Sequence, residues 1–317
     1  MLSRTANELF WMARHIERAE NTARLLDVTY RTSLLPYQML EPGLAWAEPW
    51  AVPLVAAGLA TPFYTKHPQL AAEDVLRYMI FDSDNPSSIF SCLRLARESA
   101  RTVRGAITSE MYEDLNSAWL EMRTKDFDRL QSYGVQEFLD WVKMRSHLFR
   151  GVTFGTMLRD EAYHFIRLGT HIERADNTAR ILDVKYHLLL PAHEHVGGPL
   201  DYFQWSSILR SVSALTAYHW VYRDSLKPWL VADLLILNDQ MPRSLASCYE
   251  NLEQNLDRIA GVYGRQGPAQ RQARTIRARL QNSRMDDIFQ SGLHEFIGAF
   301  VADNNNLGVA ISRQYLS

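Results

Sequence analysis

Glu17, Arg18, Asn21 and Arg24 fall within about two turns of one helical stretch, and the same four types return 156 residues later as Glu173, Arg174, Asn177 and Arg180. An arginine fork grips a carboxylate or phosphate through two parallel hydrogen bonds, and a glutamate beside it supplies the counter-charge. His15 and His171 precede the two sets at equal spacing and are candidates to help bind a carboxylated substrate. Two uses of these groups stand open. The charges of the two copies can form an internal ion-pair lattice that fixes the register of two helices. Alternatively, the arginines hold a carboxylated or phosphorylated ligand, or a partner.

The eight residues and two histidines belong to a longer identity. From His15 to Tyr30 and from His171 to Tyr186, thirteen of 16 positions match, and Glu20/Asp176 and Leu25/Ile181 are conservative differences. Pro86 and Pro242, Cys92 and Cys248, and Gly105 and Gly261 keep the same offset. Self-similarity held over so long a span marks a duplicated unit. The expected architecture is an all-α, tandem-duplicated helical bundle. One repeat covers about residues 1–150 and the other about 151–317, as pseudo-twofold-related halves packed into one compact unit. No long Gly/Ser/Pro-rich linker divides them, which argues against two separate beads.

Helical periodicity runs through nearly the whole chain, with no alternating strand pattern. A first helix is expected from Ser3, as N-cap, to about residue 34, and prolines break residues 37–69. Helices follow near 71–81, then from an Asn85 cap and Pro86 to 104, then near 108–125 and 134–150. The second copy gives about 159–190, 201–221, 228–238, 242–261, 269–282 and 286–311. Within the repeated helix, Ile16, Ala19, Ala23, Leu26 and Tyr30 form an apolar stripe. Glu17, Asn21, Arg24 and Val28 lie opposite. All four recur unchanged, while Thr29/Lys185 and Arg31/His187 drift, so both sides of the helix are constrained. The two long helices are therefore expected to face each other along the symmetry line, with their Glu/Arg/Asn rows meeting.

At 317 residues, 47% apolar and net charge −2, the chain can bury a large core and has no global pull towards nucleic acid or anionic membrane. No run approaches the length of a membrane span, and no signal-peptide pattern follows Met1, so a soluble cytoplasmic protein with no membrane partner is expected. Cys92 and Cys248 read as two reduced core thiols.

The duplicated His-Ile-Glu-Arg-Ala-(Glu/Asp)-Asn-Thr-Ala-Arg segment resembles the alpha-E domain family, a helical domain with a Glu-Arg motif. Glu17-Arg18 and Glu173-Arg174 match that motif, and Met1–Trp11 looks like the family's N-terminus. The resemblance covers essentially the whole chain. It implies company with circularly permuted ATP-grasp ligases, transglutaminase-like peptidases and Ntn-type hydrolases, in a peptide-synthesis or protein-modification system. It carries over no catalytic residue. Within the chain, Glu8 stands where the second copy has His164, so that region is not symmetric.

Other constellations are weaker. Glu161 and His164 have a di-iron helix spacing, but their counterparts are Thr5 and Glu8, so no metal is assigned. His193-Glu194-His195 reads as a polar loop. No phosphate loop, nucleophile elbow or Cys-x-x-Cys pair is present, and no cofactor is expected. Arg265, Arg271, Arg274, Arg277, Arg279 and Arg284 form a basic stretch that reads as a solvated face or a dock for an acidic partner. It lacks the aromatic residues that would stack RNA bases. The reading is an accessory, partner-binding subunit acting with an ATP-grasp-type ligase and a transglutaminase-like peptidase. The alternative is an enzyme or ligand-binding protein in its own right that uses the duplicated Glu/Arg/Asn cluster with His15 and His171.

Overall fold

A computed structural model describes residues 1–33, 49–187 and 198–317. Within them every regular element is a helix. The first half contains α1 (Ser3–Ser33), α2 (Ala51–Ala56), α3 (Ala60–Lys66), α4 (Ala72–Ile80), α5 (Ile89–Thr102), α6 (Ser109–Met122), α7 (Phe127–Tyr133) and α8 (Val135–Thr156). The second contains α9 (Glu161–His187), α10 (Pro199–Ser211), α11 (Leu215–Tyr222), α12 (Pro228–Ile236), α13 (Leu245–Tyr263), α14 (Pro268–Asn282), α15 (Met285–Ser291) and α16 (Leu293–Ile311). A π turn at Ser312–Leu316 packs back on α1. None of these helices is long and apolar enough to cross a membrane. The His193-Glu194-His195 run and the proline-broken residues 34–48 lie outside the described residues.

Helices α1 and α9 pack together at the centre. Helices α5 and α8 flank α1, while α13 and α16 flank α9. From Ala19 to Leu26 every residue of α1 is buried, so its charged side is covered as fully as its apolar side. One apolar cluster runs through both halves, from Leu9, Met12 and Leu26 to Phe165, Leu182 and Phe300. The helices of the two halves also follow one another in order: α4 and α12 are offset by the same 156 residues as the sequence repeat.

The central packing depends on one missing side chain. A Cβ placed on Gly169 of α9 would lie 2.2 Å from the Phe10 carbonyl oxygen of α1 and 3.1 Å from the Ala13 Cβ. A backbone carbonyl held in a helix cannot swing aside as a flexible side chain would. Ala at an unhindered helix position gains about 0.5–1 kcal/mol over Gly, whereas overpacking a tight contact costs about 1–3 kcal/mol. Gly169→Ala is therefore expected to be net destabilising in urea. Gly151→Ala, in α8 with nothing within 4 Å, should be stabilising and serves as the control. Equal midpoints for the two variants would contradict the close approach.

Several helix ends differ from the sequence expectation. The helix expected at Pro86 begins later, because Ser88 is the cap and accepts from the Ser91 amide at 3.1 Å. Asn85 instead folds the preceding turn, accepting from the Ser87 amide at 3.0 Å and donating to the Tyr78 carbonyl at 3.1 Å. Ser244 does the same work for α13, so Pro242 also lies before the helix rather than in it. The stretch expected as one helix over 201–221 breaks between α10 and α11, where Ser213 takes φ 57°. Gly134 and Gly292, at φ 100° and 97°, start α8 and α16 after the short α7 and α15, so the expected 286–311 helix is two.

Candidate functional site

The two Glu-Arg steps answer each other across the α1–α9 contact. Arg174 forks onto Glu17, with Nε 2.9 Å from Oε1 and Nη2 3.0 Å from Oε2. Reciprocally, Arg18 forks onto Glu173, with Nε 2.6 Å from Oε1 and Nη2 3.0 Å from Oε2. Both carboxylates are buried, with Glu17 1% and Glu173 6% exposed. Such charges persist in an interior only when paired and fully hydrogen-bonded, and bidentate geometry supplies both.

Further residues complete each carboxylate. Arg14 donates to Glu173 at 2.8 Å while its guanidinium lies over Trp11, 4.4 Å from the ring centroid. Glu17 also accepts from Arg243 at 3.1 Å and Arg150 at 3.0 Å. Glu20, one turn on, binds Arg24 at 2.8 Å, the Ser146 hydroxyl at 2.6 Å, and both Arg150 and Arg243. Helix α8 thus delivers Arg150 and Ser146, and the turn before α13 delivers Arg243.

Burial pushes the Glu173 carboxyl up, but Arg18 and Arg14 outweigh it and hold the group down at about 2. Glu17 is held well below the usual carboxylate range against the same burial, by Arg174, Arg243 and Arg150. Burial lowers Arg243 to about 10, although Glu20 and Glu17 support its charge. Cys92 and Cys248 lie buried as free thiols. Each is pushed up by burial to about 12, with Arg18 and Glu173 beside Cys92 and Arg174 and Glu17 beside Cys248. Neither is a nucleophile at neutral pH.

The remaining sequence candidates do not gather round a cleft. Arg24 turns to its own helix and then to α10 and the turn after it, donating to the Ser211 carbonyl at 3.2 Å and the Ser213 hydroxyl at 2.8 Å. Arg180 pairs with Asp176 at 2.7 Å and reaches the Ala56 carbonyl at 3.5 Å, so the two matched arginines never face the opposite helix's acids. Asn21 accepts from Arg243 at 3.4 Å, and the amide nitrogens of Asn21 and Asn177 are buried without a partner among the described residues. His15 lies against the Trp11 ring at a tilt of 33°, with centroids 5.6 Å apart, and burial lowers it to about 4. His171 is buried with neither ring nitrogen bonded among the described residues, and burial and the surrounding arginines keep it neutral. Glu161 meets the Met1 ammonium at 2.6 Å while His164 meets Asn255 at 2.8 Å, so the two go to different partners. Much of the basic stretch is also occupied: Arg274 pairs with Asp257, Arg277 with Glu253 and Arg279 with Asp303.

Reading by repetition missed Arg14, Glu20 as a junction, Ser146, Arg150 and Arg243. The signal available was asymmetry: Arg14 and Arg243 stand where the other copy has Thr170 and Ser87.

The fold and its crossed pairs define an all-helical protein organised around two Glu-Arg steps. The chain belongs to the Alpha-E family, described as "a predicted alpha-helical domain with a conserved ER motif", and the match covers residues 1–316. It is similar to an uncharacterised protein of Mycobacterium bovis and to one of Mycobacterium tuberculosis. Each is 24% identical over 305 residues, covering 90% of this chain and 33% of the relative. The chain thus spans about a third of the length of the curated relatives it matches. No solved structure matches it.

Proposed function

We propose that this chain is an accessory, partner-binding helical protein of a peptide or amide-bond synthesis or protein-modification system, in which an ATP-grasp-type carboxylate–amine ligase and a transglutaminase-like peptidase are its partners, and that its halves are copies of one unit. The observation that supports this most is the mutual pairing of the two Glu-Arg steps inside the protein. Residues spent on one another at the α1–α9 contact serve to hold a scaffold, and leave recognition to other surfaces. Its match to one third of much longer relatives is in keeping with a unit that works beside further segments. The test is affinity purification of the intact protein from its native cell, with mass spectrometry of what it retains, and an assay of the recovered ligase with and without it. The reading expects a ligase in the retained fraction and no ATP-dependent amide formation by the helical protein alone. Turnover by the purified chain, or retention of no ligase, would reject it in favour of an enzyme in its own right.

A further inference from the structure

The interior charges do not balance. Four guanidinium groups, Arg24, Arg150, Arg174 and Arg243, share the two carboxylates Glu17 and Glu20. A fifth, Arg167 on α9, donates to the Asn251 side chain at 3.1 Å and has no carboxylate within ion-pair distance among the described residues. Uncompensated charge in a low-dielectric interior is costly unless it is paired, and an anion from solution can supply the missing partner.

A recess opens where this surplus reaches the surface between α8 and α9. Arg150 and Arg167 line it together with Thr153 and Thr170, and this half-open recess measures about 20 Å³. That is room for one or two water-sized groups, the size of a carboxylate's two oxygens. Its other wall is apolar: Phe149, Phe154, Tyr163 and Ile166. Phe154 is 63% exposed, with the Arg159 guanidinium over its ring at 5.0 Å from the centroid, so it presents an aromatic surface at the mouth of the recess. Arg150 is anchored from within by Glu17 and Glu20, so it is held in place before any ligand arrives. Burial also lowers Arg167, as for a cation without a counter-ion.

We propose that this recess binds the carboxylate head of a small organic acid, with Arg150 and Arg167 as its cationic end and the Phe149–Phe154–Ile166 wall against the hydrocarbon. A phosphate would satisfy the charge but leave the apolar wall unused. The site lies beside the crossed Glu-Arg pairs, uses none of the residues singled out by the repeat, and is independent of whether a ligase is the partner.

The experiment is calorimetric titration of the full chain with propionate at pH 7 and fixed ionic strength, with inorganic phosphate and chloride as parallel titrants. Saturable propionate binding is expected, weaker by about tenfold or more in Arg167→Gln, the loss that removing one charge-assisted hydrogen bond produces. Phe154→Ser, at an exposed position that leaves the fold intact, should weaken propionate and leave phosphate unaffected. Absence of saturable binding, undiminished affinity in both variants, or phosphate bound as tightly as propionate would overturn the assignment.

Discussion

Glu17→Gln is expected to lower the stability of this protein by about 3–5 kcal/mol, the cost of removing one partner from a buried ion pair. The substitution takes the charge from a carboxylate that answers three guanidinium groups, those of Arg174, Arg243 and Arg150. Two of the three, Arg174 and Arg243, are themselves buried and cannot turn to solvent. Glu173→Gln should cost less, because its partners Arg14 and Arg18 keep 19% and 23% of their side chains exposed and can rehydrate. Urea denaturation of both variants gives the order directly. A loss below about 1 kcal/mol for Glu17→Gln would mean that the pairs behave like surface salt bridges. The effect does not imply that the pairs make the fold more stable than an apolar core would. Their evident contribution is register: the fork on each helix donates to the other helix's carboxylate, at one axial offset.

The second large effect is acid lability in two stages. His171 and His15 stay neutral in the fold while the unfolded chain takes up protons near pH 6.5, so stability falls as pH drops below that value. Glu173 works lower. Its folded carboxyl sits at about 2 against an ordinary 4.5, so the stability it contributes is complete above pH 4.5 and drains away as pH falls towards 2. At about 1.4 kcal/mol per unit, that is on the order of 3 kcal/mol from Glu173, with Glu17 adding in the same direction. Asp114, pushed up to about 6 by burial, opposes the trend and gains as pH falls through its own range. Urea midpoints measured from pH 7.5 to 3 should therefore descend throughout, and Glu173→Gln should flatten the lower stage. A profile level between pH 6.5 and 3.5 would contradict the burial of these groups.

What the sequence disclosed followed from its repetition. The α1–α9 contact was legible because a helix whose polar and apolar sides both recur unchanged has no face left for water, and Ala19 to Leu26 is indeed covered all round. The pairing of Glu17 with Arg174 and of Glu173 with Arg18 follows from placing two like helices face to face. Arg24 and Arg180 show the limit of that reasoning: each keeps the matched acid of its own helix, Glu20 or Asp176, instead of meeting the opposite helix, and their remaining contacts go to α10 for one and α2 for the other. Arg150 and Arg243 were illegible because they have no counterpart, and a search for recurrence passes over what does not recur. The helix starts at Ser88 and Ser244 were displaced for a local reason: Asn85 and Pro86 are as suited to a tight turn as to a cap, and only the contact with the Tyr78 carbonyl decides between them.

The crossed forks also set a schedule for the growing chain. Arg174 is 157 residues beyond Glu17, and Arg243 lies 226 residues beyond it. At about 5–20 residues per second, roughly 8–30 s of translation pass before the first of these partners is even polymerised. Throughout that interval the first helix has only its own Glu20–Arg24 and Asp27–Arg31 pairs and, late on, Arg150 of α8, so its Glu17 fork stays unfinished on the ribosome. Maturation of the whole molecule waits for its latter half to emerge.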